Sequence, residues 1–314
     1  MNLPRHILTS LVVRILTRSW PQIFPGSPSK QIKLQERLYL VTEQWLTEQL
    51  HPYYRKSLLC KEILVDEQTA YQHLQVIQTE YFGRTLILDG IIQLTERDNA
   101  GYHEMITHVP MLAHDHPKSV LIVGGGDGGS LQQVLRYASV ELAVVCELDR
   151  RVVEVCTEHF PNFGNPFSDD RVQLVVQDAF QYLHDTDHQF DVIISDTTDP
   201  ISEAEKLFTA EFYKLMKTAL TPQGIMVTQC EQMFFDAGLI KEMLNIAKTL
   251  VKSPAYYYTL VPTYPGGGIG FMYMSDQPWT RGLNKPYPEP VNYINQEMHQ
   301  AAFALPEFFR KFIE

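Results

Sequence analysis

The feature that most constrains this chain lies at residues 120–130. An apolar stretch, Val-Leu-Ile-Val, runs directly into Gly124-Gly125-Gly126-Asp127-Gly128-Gly129 and then into a helical stretch beginning near Ser130. Glycines in that place let the backbone turn sharply at a strand end and approach a bound molecule closely. Such a turn needs a sheet around it, and the downstream sequence supplies one. Short apolar runs at 142–146, 172–176, 192–195 and 224–228 alternate with helical stretches. This is the pattern of an α/β doubly wound parallel sheet, with ligands at the carboxyl ends of its strands. Two last runs, 256–262 and 269–274, are separated only by 263–268. That gap is too short for a crossover helix and predicts a closing antiparallel hairpin.

The sequence before Pro117 has a different texture. Short β-type runs at 63–65, 73–78 and 85–88, with turns at Phe82-Gly83 and Asp89-Gly90, predict a small N-terminal antiparallel β-domain. The chain therefore divides into a basic extension over 1–44, a β-domain over 45–116 and a Rossmann-like domain over 117–314. Residues 1–35 carry Arg5, Arg14, Arg18, Lys30 and Lys33 and no acid. They read either as a basic amphipathic helix that could touch a membrane or as a disordered extension. Pro21, Pro25, Gly26, Ser27 and Pro28 separate them from the folded body.

Composition narrows the function classes. A formal charge of -11 argues against a nucleic-acid partner and suits a cationic substrate. Cys60, Cys146, Cys156 and Cys230 are scattered without a CxxC pair, so a reducing, cytoplasmic setting and no structural metal are expected. No apolar run reaches the roughly 18 residues that span a bilayer.

The glycine turn formally satisfies GxGxxG, and Glu147 arrives at the end of the next strand, where a ribose hydroxyl would be gripped. Both a dinucleotide and an S-adenosyl ligand fit that much. Asp127 separates them, because a carboxylate inside the cradle repels a pyrophosphate and attracts a cationic ligand. Glu147 and Asp178 end successive strands. An acid in the first position can accept ribose hydroxyls and one in the second the exocyclic amine of adenine, which together describe a nucleoside site. Taken singly, either could be an ordinary surface carboxylate. The fourth strand ends in Asp196-Thr197-Thr198-Asp199-Pro200. Two carboxylates three residues apart can hold an ammonium and take its proton, although Asp199 before Pro200 also fits a helix cap.

The stretch over 86–229 resembles the spermidine synthases: LDGIIQLTERD, GYHEMITHVPMLAH, VLIVGGGDGGSLQQVLR, CELD, VVQDAF, FDVIISDTTDP and KLFTAEFY occur in that order. The likeness extends upstream to Trp45 and Tyr71-Gln72 and downstream through VPTYPGGGIGF and HQAAFALP. It implies a polyamine aminopropyltransferase that uses decarboxylated S-adenosylmethionine as co-substrate, with no prosthetic group or metal, active as a homodimer or homotetramer. By motif, Gln72, Glu147, Asp178 and Ala179 would hold the nucleoside and Asp127 the primary amine of the aminopropyl arm. Asp196 would be the general base. Tyr102, His103, Asp199 and Tyr264 would line the channel for the acceptor amine, with Gln93 and Gln229 nearby and Trp45 over the entrance. Outside the resemblance, His103 reads as a capping or packing histidine.

Two departures stand out. Asn99-Ala100-Gly101 replaces an acid and a Phe, which removes bulk and charge from one expected pocket wall. Ser202-Glu203 follows Asp199-Pro200-Ile201 where the resemblance predicts Gly-Pro, so this loop is expected to close differently. The acceptor is expected to be putrescine, with cadaverine, agmatine and spermidine as alternatives. The rival functions are an S-adenosylmethionine methyltransferase, a nicotinamide oxidoreductase and a polyamine-binding protein without catalysis. Asp127 opposes the first two and Asp196 the third.

Overall fold

A computed structural model describes residues 44–199 and 202–314. Apart from Gln44, the basic extension lies outside the described residues. Five strands, β1 (Gln44–His51), β2 (Tyr54–Gln68), β3 (His73–Thr79), β4 (Arg84–Leu88) and β5 (Ile91–Thr95), form an antiparallel sheet in simple sequential order. The sequence reading does not identify β1 or β5, and it finds only a fragment of the 15-residue β2. Strand β1 mixes Gln, Thr and Glu with its apolar residues, β2 mixes Arg, Lys, Glu, Asp and Gln with its own, and both leave much of their surface exposed, so the alternation that marks a strand is diluted.

The chain continues through α1 (Asn99–Ala113), β6 (Ser119–Gly124), α2 (Gly129–Val134), β7 (Leu142–Glu147), α3 (Arg150–His159), β8 (Val172–Val176), α4 (Ala179–Asp185) and β9 (Phe190–Asp196). A 3-10 turn (Ser202–Phe208), α5 (Ala210–Thr218), β10 (Leu220–Gln229), α6 (Ala237–Leu250), β11 (Ala255–Leu260) and β12 (Gly268–Ser275) complete the sheet region. The second sheet has the order β11-β12-β10-β9-β6-β7-β8. Strands β6 to β10 run parallel and β12 pairs antiparallel with β10 and β11. The hairpin expected at the end of the sheet is β11–β12.

Successive residues of the central strands point to opposite faces, and both faces are buried. Leu121, Val123, Val144, Ile193 and Met226 meet α5 and α6 through Phe212, Met216, Ile240 and Met243. Val120, Ile122, Val145, Val192 and Ile194 meet Tyr102, Met105, Ile106 and Val109 of α1 and Leu131 and Val134 of α2. Helix α1, which the sequence reading groups with the first sheet, thus contributes its apolar residues to the core of the second. Helix α3 joins the two sheets: its Val152, Val155 and Cys156 pack on Leu74, Val76, Leu86 and Leu88. That joint brings one end of the small sheet to the carboxyl ends of the large one. No helix among the described residues is long and apolar enough to cross a membrane.

Candidate active site

The order of the large sheet explains where a site must form. The chain leaves β6 toward β7 and β8 on one side and returns to β9 and β10 on the other, so a crevice opens at the carboxyl ends of β6 and β9. In register, Gly124 pairs with Asp196, and the Gly125 N–H donates to the Asp196 carbonyl at 2.9 Å. Gly124 has φ +73, and a Cβ there would sit 2.2 Å from that carbonyl oxygen, so glycine is required for the cradle to lie against β9.

One pocket spans the crevice and the adjoining edge of the small sheet. Gln72, Gln93, Tyr102, Asp127, Glu147, Asp178, Ala179, Asp196, Asp199, Gln229 and Tyr264 all line it. His103 does not. Its buried imidazole stands behind Asp127, with Nε2 3.3 Å from Asp127 Oδ2, and it fills the space that a Cβ on Gly129 would need. In this structure His103 backs Asp127 and packs on Gly129 from behind the lining. Trp45 lies on β1, half exposed, and is not part of the lining.

At the centre of the pocket Asp196 is held at both oxygens. Tyr102 Oη donates to Oδ1 at 2.7 Å and Ser130 Oγ donates to Oδ2 at 2.6 Å. Burial pushes the Asp196 carboxyl up to about 6, helped by the Asp127 charge and opposed by His103 and by the two hydroxyl bonds. Burial also works to raise Asp127, but its His103 neighbour and the Gly129 N–H, which donates to Oδ1 at 2.7 Å, outweigh it and hold Asp127 below its ordinary value. The two carboxylates are thus differentiated: one stays charged and the other is poised to exchange a proton near neutrality. His103, Asp127 and Asp196 also lie close enough to offer ligand atoms to a cation. In this structure those atoms are engaged in the hydrogen bonds just described.

On the β7 side, Glu147 accepts from the Gly126 N–H at 3.1 Å and the Asp149 N–H at 2.9 Å. Burial still pushes it up to about 7 against those bonds, with the Asp149 charge adding to the rise. Asp149 anchors Gln72, whose Nε2 donates to Oδ2 at 3.1 Å. Asp178 follows β8, accepts from the Phe180 N–H at 2.8 Å and pairs with Lys206 at 2.6 Å. On the other side, Tyr264 donates to the Gln93 carbonyl. Its loop is tied to the small sheet through Asp98, which accepts from Thr95 Oγ1 at 2.6 Å and from the N–H and hydroxyl of Thr263 at 2.9 and 2.7 Å.

Beyond Asp199 the pocket is more acidic than the sequence reading anticipates. Glu231 and Asp236 line it together with His51 and Gln232. Burial pushes the Asp199 carboxyl up to about 6, and the Glu48 charge adds to this while Lys56 opposes it. Lys56 and Glu48 form a buried ion pair at 2.7 Å. Burial also raises Glu231 well above its usual range, together with the charges of Asp199 and Asp236. Glu231 stands just past the end of β10, where it adopts φ +37. None of Asn99, Ala100 and Gly101 lines the pocket. Asn99 Nδ2 donates to the Thr95 and Glu96 carbonyls at 3.0 and 2.9 Å. A Cβ on Gly101 would lie 2.4 Å from the Leu260 carbonyl oxygen. Pro200 and Ile201 lie outside the described residues, as do the side chains of Ser202 and Glu203.

Residues 99–282 match the family model described as the spermine/spermidine synthase domain, and residues 44–96 match the spermidine synthase tetramerisation domain. The chain belongs to the spermine/spermidine synthase family. It is 42% identical over 278 residues to a polyamine aminopropyltransferase of Thermoanaerobacter sp. (strain X514), a match spanning 85% of this chain and 98% of that one. It is 41% identical over 259 residues to a spermidine synthase of Dictyostelium discoideum, spanning 81% and 91%. Among solved structures, a spermidine synthase in complex with the transition state analogue AdoDATO superposes with a TM-score of 0.83 at 32% identity, covering 89% of this chain and 98% of that one. The spermidine synthase of Thermotoga maritima gives 0.81 at 31% identity, covering 89% and 97%. Membership in this family makes the chain an enzyme that transfers alkyl groups.

Proposed function

We infer that this enzyme moves the aminopropyl group of decarboxylated S-adenosylmethionine to an amine acceptor, putrescine, releasing spermidine and 5'-methylthioadenosine. The observation that carries the reading is the pair Asp127 and Asp196 within one crevice, the first held charged by His103 and the second shifted toward neutrality. In this reading the nucleoside lies along Gln72, Glu147, Asp178 and Ala179, and Asp127 meets the primary ammonium of the donor. The acceptor lies past Asp196 toward Asp199, with Tyr102, Gln93, Gln229 and Tyr264 as walls. Glu231 and Asp236 supply negative charge for its distal ammonium.

The chemistry follows from the charges. A free alkylammonium titrates near 10.4, as lysine does, so the acceptor arrives protonated and without a lone pair. Asp196 takes that proton. The freed amine attacks the carbon attached to the sulfonium, a C–N bond forms, and the C–S electron pair returns to sulfur to give a neutral thioether. Alignment of the two substrates supplies much of the acceleration, on the order of 7 to 11 kcal/mol at best. No step in this scheme calls for a metal or a prosthetic group. The family model matched over 44–96 is described as a spermidine synthase tetramerisation domain, which supports an oligomer, a tetramer, as the working form.

The test is to incubate the purified protein with decarboxylated S-adenosylmethionine and a panel of putrescine, cadaverine, agmatine and spermidine, and to identify products by mass spectrometry. Spermidine and methylthioadenosine in equal amounts are the expected result. Methylated product from the intact cofactor, or no turnover with any amine, overturns the reading.

A further inference from the structure

Asp178 enters the pocket with a cation already beside it. Lys206 Nζ, from the 3-10 turn Ser202–Phe208, donates to Asp178 Oδ2 at 2.6 Å, while Oδ1 accepts from the Phe180 N–H. Both side chains are about one-third exposed, 37% and 34%, so the pair contributes little to stability. Its position is the informative part. Among the described residues lining the pocket, Lys206 is the only lysine or arginine, against seven aspartates and two glutamates, of which Asp127, Glu147, Asp196, Asp199 and Glu231 crowd the remainder. A lysine weakens a pocket built for cations unless it serves a part of the ligand that is not cationic.

The neutral part of the proposed donor is its adenine. One edge of adenine presents the N6 amine as a donor beside N7 as an acceptor. A carboxylate alone satisfies the amine but offers N7 nothing, whereas a carboxylate next to an ammonium presents an acceptor and a donor side by side. Each carboxylate oxygen has two lone pairs and a lysine ammonium three N–H donors, so the pair can engage a base without coming apart. We propose that Lys206 is a nucleobase-binding residue of the donor site, donating to adenine N7 while Asp178 accepts from N6. This rests on the reading that the adenine lies at Asp178. The ammonium also disfavours the reversed ligand, because the cationic arm then meets Lys206 instead of Asp127 and Asp196. Hypoxanthine is rejected at the same place, since its O6 turns an acceptor toward the Asp178 carboxylate.

The experiment is calorimetric titration of the full chain with 5'-methylthioadenosine and its 7-deaza analogue, in wild type, Lys206→Met and Asp178→Asn, at one fixed pH. Wild type is expected to bind the 7-deaza analogue about five- to tenfold more weakly, a charge-assisted hydrogen bond discounted for partial exposure. Lys206→Met is expected to lose the same factor on methylthioadenosine and to bind the two ligands equally. Equal affinity of wild type for both ligands, or a full 7-deaza penalty surviving in Lys206→Met, overturns the role of Lys206. Unchanged affinity for methylthioadenosine in Asp178→Asn removes adenine from Asp178 and overturns the underlying reading instead.

Discussion

Tyr102 Oη donates to Asp196 Oδ1 across 2.7 Å, from the first turn of α1 to the last residue of β9. This bond stabilises the ionised form of Asp196 and opposes the burial that raises it to about 6. A general base must be ionised to accept a proton, so activity is expected to fall as pH drops through that value. In Tyr102→Phe the carboxyl loses a donor and rises further, and the acid limb of the kcat/KM profile moves to higher pH. Asp196→Asn is expected to lower kcat by about 10² to 10⁴ while leaving methylthioadenosine affinity within a few fold. A Tyr102→Phe profile that coincides with wild type, or near-normal turnover in Asp196→Asn, would show that another group takes the proton.

Asp127 makes a prediction about the donor. Intact and decarboxylated S-adenosylmethionine share adenine, ribose and sulfonium, so Glu147 and Asp178 do not distinguish them. They differ at the arm, where the intact cofactor adds a carboxylate beside Asp127. A charge-assisted hydrogen bond contributes about 1.5 to 3 kcal/mol, so wild type is expected to prefer the decarboxylated ligand roughly tenfold or more. Titration of Asp127→Asn with both ligands should show that preference shrink. An unchanged preference removes Asp127 from this role.

The large sheet was legible because its strands are buried on both faces and therefore read as continuous apolar runs, and because the glycine turn after β6 has few other uses. The acids that end β7 and β9 were legible for the same reason: each follows an apolar run without a gap. The small sheet was less so, since β1 and β2 carry charged and polar residues on their exposed positions. Glu231 and Asp236 escaped notice because their approach to Asp199 depends on the path of the chain after β10, which no local pattern encodes. The position of His103 behind Asp127 is hard to read locally for a related reason. Its neighbour Tyr102 faces the pocket, but helix geometry turns adjacent residues about 100° apart, and the His103 ring packs on Gly129 instead.

Two buried histidines far from this chemistry predict acid sensitivity. Burial pushes His108 down to about 3, with the Arg136 charge adding to the effect and Gln133 opposing it, and burial alone takes His299 down to about 4. Both bond to tyrosines, His108 Nδ1 to Tyr137 Oη at 3.0 Å and His299 Nδ1 to Tyr287 Oη at 3.1 Å. An unfolded histidine titrates near 6.5. Between that value and the folded ones, the unfolded chain binds more protons, so stability falls as pH drops below about 6.5. The loss is at most about 3 kcal/mol for each histidine by pH 4. Raised carboxyls such as Glu147 and Asp196 act with the opposite sign, so the diagnostic quantity is a difference of slopes. Urea unfolding midpoints of His108→Gln and His299→Gln should depend less steeply on pH than those of wild type. Parallel slopes would show that neither histidine is neutral in the fold.

Glu147 links nucleoside binding to protons. In the free enzyme burial holds it at about 7, despite the Gly126 and Asp149 N–H groups that favour its ionised form. Ribose hydroxyls donating to the carboxylate add to those bonds and favour ionisation further. Binding therefore lowers the Glu147 pKa and releases a proton, about half a proton per ligand near pH 7. The sign follows: affinity is full above about 7 and weakens below it, by up to about tenfold per pH unit while the bound form stays ionised. Methylthioadenosine is the suitable probe because it carries no charge that would titrate Asp127 or Asp196 directly. Calorimetry near pH 7 in two buffers of different ionisation heat should give different apparent enthalpies, and their difference counts the protons released. Glu147→Gln should bind more weakly and lose both the buffer dependence and the pH dependence. An affinity that stays flat between about pH 5.5 and 8, with no buffer effect, would mean that the ribose does not rest on Glu147.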